Sequence, residues 1–369
     1  MFVAKEEVFM KKVKFALVGC GRISKKHADA ITQHLKNKAE LISVCDIKYD
    51  RAEKIGKEYD VPYYSSYDEM LQKHPDIDVV NILTESGNHA RHTIDIVGKY
   101  KKHVVVEKPM ALNLHKADDM IRACDEAGVK LYVVKQNRYN LPVMKLRKAL
   151  KTDRFGKIVM GTVRVRWCRK QEYYDQDKWR GTWEMDGGVF TNQASHHIDL
   201  LEWMLGEPVS VFAKSQTALV DIETEDTGVA IIQFKSGAIG IVEATTAIRP
   251  KDLEGSLSIL GERGSVEIGG FAVNQMKTWN FIDETEEDKT VIERFAEMPP
   301  NVYGFGHARY LENVCNSLTN HTKALVDGLE GRKSLELINA IYESIETGKE
   351  VFLKFKPRHC KLGKPNDNG

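Results

Sequence analysis

Apolar and amphipathic segments alternate along the first third of the chain. The apolar segments are rich in Val, Ile and Leu and show little polar alternation, which is typical of strands buried on both faces. They lie at 13–18, 41–45, 79–83, 103–106 and 131–134. The segments between them have helical spacing and lie at 28–35, 51–59, 90–100 and 116–127. This alternation predicts a parallel sheet with helices on both sides.

After about residue 155 the apolar segments follow one another more closely. Glycine-containing turns separate several of them, which predicts a largely antiparallel sheet. The strand candidates are 158–167, 209–217, 228–234, 239–246, 257–260 and 265–268. One helix at 196–205 should interrupt this sheet, because Gly206 and Pro208 stop it. The charged stretch 283–289 is expected to be a solvated loop or a hairpin tip, and helices at 306–320 and 331–347 are expected to pack against the rest of the protein.

Composition excludes several classes of protein. The 54 Lys and Arg residues balance 53 Asp and Glu residues, which argues against binding nucleic acid through its phosphates. No apolar run reaches the ~18 residues of a membrane helix. Residues 1–7 lack the features of a signal peptide, so we expect a cytoplasmic protein. The six cysteines form no metal-ligand spacing, so we expect reduced thiols and no metal site.

The first candidate for chemistry is the turn Gly19-Cys20-Gly21-Arg22-Ile23-Ser24, which follows a buried strand and opens a helix. Glycines at this spacing let backbone amides approach a pyrophosphate. Ser24 replaces the third glycine of the usual fingerprint but is still small. Asp46 ends the next strand, where a carboxylate accepts hydrogen bonds from the adenosine ribose and repels a 2′-phosphate. The pattern therefore favours NAD over NADP.

The second candidate is Glu107-Lys108-Pro109 at the end of the strand 103–106. The carboxyl ends of parallel strands are where ligands bind in open α/β sheets. Partial burial beside a positively charged nicotinamide would lower the pKa of Lys108 and suit it to proton transfer. Pro109 fixes one backbone angle and is a candidate for a cis bond. The alternative is a surface lysine at a strand end.

A third cluster occupies residues 179–199. Asn192 and His196 are spaced i, i+4 and can share a helix face. A metal site made of His196, His197 and Asp199 is disfavoured, because adjacent helical residues point about 100° apart.

Together these motifs resemble the glucose–fructose oxidoreductase / inositol dehydrogenase (Gfo/Idh/MocA) family over nearly the whole chain. The Thr84…Asn88-His89 loop, Arg138-Tyr139-Asn140 and the ending 327–348 also match. The resemblance implies an α/β fold, with an N-terminal Rossmann dinucleotide-binding domain and a C-terminal α+β domain with an open, mostly antiparallel sheet. We expect the first domain at 1–136, a substrate-binding and oligomerisation domain at 137–355, and a tail at 356–369. The final helix, about 331–347, is a candidate to pack on the first domain.

The resemblance also implies roles for individual residues. Lys108 matches the catalytic lysine and His196 the catalytic histidine, but Asn192 stands where the family often has aspartate. Because an amide supplies no charge to the imidazole, we expect Lys108 to transfer the proton and His196 to hydrogen-bond the reacting oxygen. Glu85 also replaces a common proline, which leaves the shape of the Thr84 loop open.

The expected NAD site consists of Gly19, Gly21, Arg22, Ile23, Asp46, Thr84, Asn88, His89, Glu107, Lys108 and Gln136. The expected substrate site consists of Lys108, Arg138, Tyr139, Arg166, Arg169, Tyr173, Tyr174, Arg180, Asn192, Gln193 and His196. Arginines offer bidentate contacts to a diphosphate or a carboxylate. Stacking faces could come from Trp167, Tyr173, Tyr174, Trp179 and Trp183, for which the alternative is core packing.

Segments 169–176, 178–183 and 192–199 resemble one branch of the family, the UDP-N-acetylglucosaminuronate 3-dehydrogenases. This implies NAD-dependent oxidation of the sugar C3 hydroxyl in the biosynthesis of surface-polysaccharide aminosugars. The expected partners are a UDP-sugar, 2-oxoglutarate as a candidate hydride acceptor, and further copies of the chain, with a tetramer favoured over a dimer. The alternatives are another sugar or cyclitol dehydrogenase and a non-catalytic nicotinamide-sensing regulator.

Overall fold

The computed structural model describes residues 12–297 and 305–353. The predicted tail at 356–369 and the segment 1–7 lie outside the described residues. Within the described part, the strands form two sheets, one of six strands and one of eight. No helix in that part is both long enough and apolar enough to cross a membrane.

The first sheet is entirely parallel and has the strand order β3-β2-β1-β4-β5-β6. Its strands are β1 (Val13–Val18), β2 (Ala39–Cys45), β3 (Tyr63–Tyr64), β4 (Val79–Ile82), β5 (His103–Val106) and β6 (Leu131–Val133). The connecting helices are α1 (Ser24–Asp29), which continues as a π-helical segment (Ala30–His34), then α2 (Tyr49–Tyr59), α3 (Tyr67–Lys73), a 3₁₀ turn (Ser86–Asn88), α4 (His89–Tyr100) and α5 (Leu114–Ala127). The strand order reverses between β1 and β4, which is where such sheets bind a dinucleotide.

Both faces of this sheet are buried, as the apolar runs predict. Successive side chains of a strand point to opposite faces. Phe15 and Leu17 therefore belong to one hydrophobic core, and Ala16 and Val18 belong to the other. Asp46 follows the carboxyl end of β2, and Glu107 and Lys108 follow that of β5, so charged groups stand together along this edge of the sheet.

The second sheet has the strand order β13-β12-β11-β7-β10-β9-β8-β14. In the described residues, β7 and β10 form its one parallel pair, and the other pairs are antiparallel. The strands are β7 (Ile158–Arg166), β8 (Pro208–Gln216), β9 (Thr227–Phe234), β10 (Ile239–Thr245), β11 (Glu254–Gly261), β12 (Gly264–Gly269), β13 (Gln275–Phe281) and β14 (Val351–Phe352). The mostly antiparallel C-terminal sheet is thus confirmed.

The remaining helical segments of the described residues are a 3₁₀ turn (Gln136–Tyr139), α6 (Leu141–Lys151), α7 (Gln171–Asp175), a π-helical segment (Val189–Gln193), α8 (Ser195–Leu205), a 3₁₀ turn (Asp288–Thr290), α9 (Val291–Arg294), α10 (Gly306–Thr319) and α11 (Gly328–Thr347). Helices α6, α8, α9 and α11 pack on one face of the second sheet. Ile198 and Leu201 of α8 pack with Val163 of β7 and Val242 of β10 in one core. The opposite face keeps Ile231 exposed.

The chain returns to the first sheet near its end. Tyr310 and Leu311 of α10 are fully buried in the same core as Phe15. Helix α11 spans both halves, because Leu335 packs with the first sheet and Ile341 with the second. These contacts hold the two sheets together around the cleft described below.

The structure adds several elements to those predicted. Strand β13 was missed because its polar residues obscure a pattern in which Met276 and Trp279 alone are buried. Helix α6 was missed although Pro142 marks its first turn. Helix α1 begins at Ser24 rather than at residue 28, since the Ser24 hydroxyl donates to the Gly21 carbonyl at 2.7 Å and continues the glycine turn into the helix.

Candidate active site

The glycine turn is shaped by close packing against the end of β4. Gly19 has φ +102°, and a Cβ on it would lie 2.7 Å from the main-chain carbonyl carbon of Leu83. Only glycine fits this position without strain. A Cβ on Gly21 would meet no atom within 4 Å, because that residue borders an open cleft. The turn therefore leaves backbone accessible at the place where a pyrophosphate is expected.

Asp46 is held at the end of β2 by the same turn. One carboxylate oxygen accepts a hydrogen bond from the Cys20 amide, and the other accepts one from the Lys48 amide, both at 2.8 Å. Asp46 is buried but borders the cleft. Its orientation is therefore fixed before any ligand arrives, and it presents a negative charge at the cleft wall.

A cleft of about 1430 Å³ runs between the two halves of the molecule. Most of the predicted site residues line it. From the expected NAD site these are Gly19, Gly21, Arg22, Ile23, Asp46, Thr84, Asn88, His89, Glu107, Lys108 and Gln136. From the expected substrate site they are Lys108, Arg169, Tyr173, Arg180, Asn192, Gln193 and His196. Residues far apart in the sequence thus meet in one continuous space.

Lys108 lies at the centre of this cleft, after β5. Its Nζ donates a 2.6 Å hydrogen bond to the main-chain carbonyl oxygen of Asn192, which belongs to the other half of the molecule. Burial lowers the pKa of Lys108, and the charges of Lys135 and Arg180 lower it further, while Glu107 and Asp186 raise it. The peptide bond between Lys108 and Pro109 is cis.

Glu107 is buried behind Lys108 and is held by two histidines. Its Oε1 lies 3.0 Å from His27 Nε2 and 3.6 Å from His307 Nε2. On the other side of the His27 ring, the Asn81 amide nitrogen lies 3.0 Å from Nδ1. Asn81 then donates to Nδ1, and Nε2–H donates to Glu107. Burial alone would raise the pKa of Glu107, but the two histidines hold it well below its usual range.

The loop after β4 is tied to its surroundings at several points. The His89 ring lies 2.8 Å from the Pro109 carbonyl oxygen and 3.0 Å from the Thr84 carbonyl oxygen. Thr84 Oγ1 lies 3.0 Å from His92 Nδ1. The Gly87 amide donates to the Met185 carbonyl at 2.9 Å. The loop, whose shape the sequence left open, is therefore bonded to the second half of the molecule.

His196 lies in the first turn of α8 and faces the cleft beside Lys108. Its Nδ1 is buried without a hydrogen-bond partner among the described residues. Burial lowers the pKa of His196 well below its usual range, and the charges of Lys108 and Lys135 lower it further. The imidazole is therefore neutral at pH 7 and can take part in a hydrogen bond without bringing a charge.

A chain of hydrogen bonds surrounds Asn192. Its side-chain Nδ2 donates to Asp186, and its Oδ1 accepts from Gln193 Nε2 at 3.1 Å. Gln193 Nε2 also lies 3.1 Å from the Tyr173 hydroxyl, which accepts a 2.8 Å hydrogen bond from Arg180. The arrangement orients Gln193, Tyr173 and Arg180 along one wall of the cleft.

Two contacts cross the cleft from α7 and the loop after it. Arg51 of α2 lies 3.2 Å from Asp177, and the guanidinium of Arg22 lies 5.3 Å from the Tyr173 ring centroid. All four residues line the cleft. Segment 173–177 therefore bridges the part of the cleft next to the glycine turn.

Two predicted substrate residues, Arg138 and Tyr139, do not line the cleft. Arg138 is buried in a bidentate pair with Asp199, at 2.7 and 2.8 Å, and also contacts Glu330. The Tyr139 hydroxyl donates to Asn313 at 3.0 Å. Burial would raise the pKa of Asp199, but Arg138 and Lys135 hold it at about 2. These residues stabilise the junction between the halves instead of facing a substrate.

Arg166 and Tyr174 also lie away from the cleft lining. Arg166 pairs with Glu243 and Glu254 on the outer face of the second sheet, because strand alternation directs it opposite to the buried Val165. The Tyr174 hydroxyl lies 3.1 Å from Thr246 Oγ1 in a buried position.

Of the tryptophans predicted to stack on a ligand, two line the cleft and one does not. Trp167 and Trp179 line the cleft. Trp183 is half exposed and packs edge-on against Tyr342. The sequence did not separate these cases, because the surface that each tryptophan meets depends on how the two halves pack together.

Sequence reasoning missed Asp186, Arg51 and Asp177. Asp186 was visible between Met185 and Gly187, but nothing local marks it as a partner of a residue six positions later. Arg51 and Asp177 are 126 residues apart, and their pairing depends on how the halves are docked.

Comparison with known proteins agrees with this geometry. Residues 13–135 match the model of the Gfo/Idh/MocA oxidoreductase family for its NAD-binding Rossmann fold, and residues 147–353 match the model for its C-terminal alpha/beta domain. The chain belongs to this family. Its cofactor is NAD, which the glycine turn and Asp46 fit: Gly21 leaves room for backbone contact, and the carboxylate is preorganised at the cleft wall.

Two solved structures resemble the chain over most of its length. The WlbA dehydrogenase from Bordetella pertussis, crystallised with NADH and UDP-GlcNAcA, is 44% identical, with a TM-score of 0.89 over 94% of this chain and 99% of that one. The WlbA dehydrogenase from Chromobacterium violaceum, also with NADH and UDP-GlcNAcA, is 42% identical, with a TM-score of 0.86 over 94% and 97%.

One sequence relative is a dehydrogenase named for a cyclitol instead of a nucleotide sugar. Myo-inositol 2-dehydrogenase from Thermotoga maritima is 26% identical over 354 residues, which are 93% of this chain and 99% of that protein. These relatives are all dehydrogenases, and they differ in the compound that their names give, UDP-GlcNAcA for two of them and myo-inositol for the third.

Proposed function

We propose that this protein oxidises the C3 hydroxyl of UDP-N-acetylglucosaminuronic acid to the 3-keto sugar, in the biosynthesis of surface-polysaccharide aminosugars. The observation that supports this most is the 44% identity, over 94% of the chain, to a dehydrogenase crystallised with NADH and UDP-GlcNAcA. The cleft also continues past Lys108 to Arg169, Arg180 and Trp179. The two arginines suit the anionic groups of a nucleotide sugar, and the tryptophan ring suits stacking on its nucleobase.

Lys108 acts as the acid/base in this proposal. Its burial favours the neutral amine, which accepts the proton of the sugar hydroxyl. Neutral His196 forms a hydrogen bond to the same oxygen and keeps the hydroxyl oriented toward Nζ. NAD, when bound, supplies the hydride acceptor. The glycine turn and Asp46 hold the cofactor, and the loop from Thr84 to His89 borders the same space.

The substrate assignment is tested by comparing three alcohols. Formation of reduced nicotinamide is followed by absorbance with UDP-N-acetylglucosaminuronate, UDP-N-acetylglucosamine and myo-inositol. Since the second sugar lacks the carboxylate, we expect its kcat/KM to fall by roughly 100-fold or more, the size expected when a paired charge is lost. Comparable turnover of either comparison compound would contradict the proposed substrate.

The second candidate is a cyclitol dehydrogenase, which the similarity to myo-inositol 2-dehydrogenase favours. The same assay separates the two functions, because myo-inositol has neither diphosphate nor carboxylate. Preferred turnover of myo-inositol would establish the alternative.

We also propose that 2-oxoglutarate accepts hydride from the reduced cofactor within this protein. Protein purified with its reduced nucleotide should then reoxidise it when 2-oxoglutarate is added without other cofactor. Reoxidation that requires free NAD would contradict this partner.

A homo-oligomer, with a tetramer favoured over a dimer, is the proposed assembly. The uncovered face of the second sheet aligns Phe212, Ile231 and Ile241 across three neighbouring strands. Phe212 and Ile231 are 39% and 53% exposed, and an apolar patch of this kind favours association. Ile231→Lys should reduce the mass measured by light scattering. Leu329→Lys, at an exposed apolar position on α11, is the control that should leave it unchanged.

A further inference from the structure

We propose that Asp186 is a positioning residue for proton transfer by Lys108. It holds the side chain of Asn192, whose main-chain carbonyl accepts the hydrogen bond from the lysine amine. It also places a negative charge near that amine. This inference rests on the proposed role of Lys108 in the reaction.

Asp186 is buried, with 1% of its surface exposed, and both carboxylate oxygens are used. Oδ2 accepts a 2.9 Å hydrogen bond from the Gly181 amide, and Oδ1 accepts one from Asn192 Nδ2. A buried carboxylate is costly unless such donors satisfy it. Burial raises the pKa of Asp186, and the two N–H donors together with the charges of Lys108 and Arg180 act against this rise and favour the ionised form.

Asn192 links Lys108 to Asp186, because its main-chain carbonyl accepts from the lysine amine and its side-chain amide donates to the carboxylate. Both ends of the Asn192 amide are engaged, by Asp186 at the nitrogen and by Gln193 at the oxygen. The side chain therefore fixes the rotation of this residue in the π-helical segment. Its main-chain carbonyl then points at Lys108 Nζ, 2.6 Å away. The carbonyl orients the amine without a charge, and Asp186 supplies the charge from behind.

The charges around the two groups set the direction of the effect. Lys108 faces Glu107, Lys135, Arg180, His89, His196 and Asp186. Asp186 itself faces Lys108, Arg180, Glu225 and Tyr174. Asp186 raises the pKa of Lys108 against the lowering effect of burial. Loss of its charge should therefore lower the pKa of Lys108 further and make the amine a weaker base.

The test is the pH dependence of hydride transfer in single turnovers of the full chain, with saturating NAD and the sugar that the wild type oxidises. The wild-type rate rises with pH as Lys108 loses its proton. For Asp186→Asn we expect this acidic limb to move to lower pH by on the order of 0.5 to 1 unit. We also expect a maximal rate reduced by about 10- to 100-fold and NADH affinity within about threefold.

Asp186→Glu separates charge from position and gives an answer even if Asp186→Asn does not fold. It keeps the charge, so the acidic limb should stay in place. Its longer side chain displaces Asn192, so the maximal rate should still fall. Full wild-type rate in Asp186→Glu, or an unmoved limb in Asp186→Asn, would overturn the inference.

Glu225→Gln is the matched control, because Glu225 is another buried carboxylate near Asp186 that does not contact Lys108. It should leave the acidic limb in place. Lys108→Met distinguishes this inference from the proposed function. If Lys108→Met keeps its activity, the role of the lysine fails; if it is inactive while Asp186→Asn shows no shift, only the role of Asp186 fails.

Discussion

Lys108 Nζ donates a 2.6 Å hydrogen bond to the main-chain carbonyl oxygen of Asn192, so the amine at the edge of the first sheet is held by a turn of the second half. The amine reaches its orientation only when the two halves are docked.

Replacing Lys108 with Met should lower turnover by roughly 100-fold or more, the usual contribution of a general acid/base. Met keeps most of the side-chain volume, so NADH affinity should stay within about threefold. Steady-state assays and NADH fluorescence titration measure the two quantities. Lys116→Met, at an exposed position of α5, is the control expected to behave as wild type. A fully active Lys108→Met variant would reject the lysine as acid/base.

Asp46→Ser should shift cofactor preference toward NADP. The carboxylate is fixed by the Cys20 and Lys48 amides at the cleft wall, where its charge opposes a 2′-phosphate. We expect the ratio of NADPH to NADH dissociation constants to fall by about tenfold, as for removal of one unfavourable charge contact. Asp50→Asn removes a nearby exposed charge and should not change the ratio. An unchanged ratio in Asp46→Ser would show that Asp46 does not select the cofactor.

Gly19→Ala should lower the stability of the fold, whereas Gly21→Ala should weaken NADH binding. At Gly19, the positive φ and a Cβ 2.7 Å from Leu83 strain the folded chain, so the melting temperature without cofactor should fall. At Gly21 there is space, so that variant should melt like wild type. Its Cβ borders the cleft, however, and NADH affinity should drop by about tenfold or more, since close backbone approach is lost. Equal melting temperatures for the two variants would contradict this account.

Glu225→Gln should flatten the dependence of stability on pH. Burial raises the pKa of Glu225 to about 7, because only its Oε1 has hydrogen-bond donors, the Phe190 amide and the Tyr342 hydroxyl. The folded pKa lies above the unfolded value, so the protonated form stabilises the fold below about pH 4.5 and this stabilisation is lost as pH rises to about 7. Denaturant melts should show wild-type stability falling by up to about 1.4 kcal/mol per pH unit from this group, and a smaller slope in the variant. Equal slopes would contradict a raised pKa.

The sequence predicted the parts of the fold that depend on local pattern. Continuous apolar residues indicate a buried strand such as 103–106, and β5 has the predicted bounds. Strand β3 has two residues, and β14 also has two, too few for any period to be recognised. Both are strands at the edges of their sheets, where pairing with a longer neighbour decides the structure.

The candidate site was predictable where a residue follows directly from a strand or a turn. Gly19, Gly21, Asp46 and Lys108 all stand at the carboxyl ends of strands, and all of them border the cleft. Side chains from the second half were harder to place. Arg166 belongs to a strand with two faces, and the sequence did not indicate which face meets the cleft.

The amino-acid sequence by itself determined the longer buried strands of both sheets, the glycine turn and the lysine at the end of β5, because short-range periodicity and steric limits act within a few residues. Tertiary structure alone decided that Asp186 stands behind Asn192, that Arg51 meets Asp177 across the cleft, and that Arg138 pairs with Asp199. Those contacts join side chains whose positions depend on how the sheets and helices pack together, and no spacing along the chain encodes that packing directly.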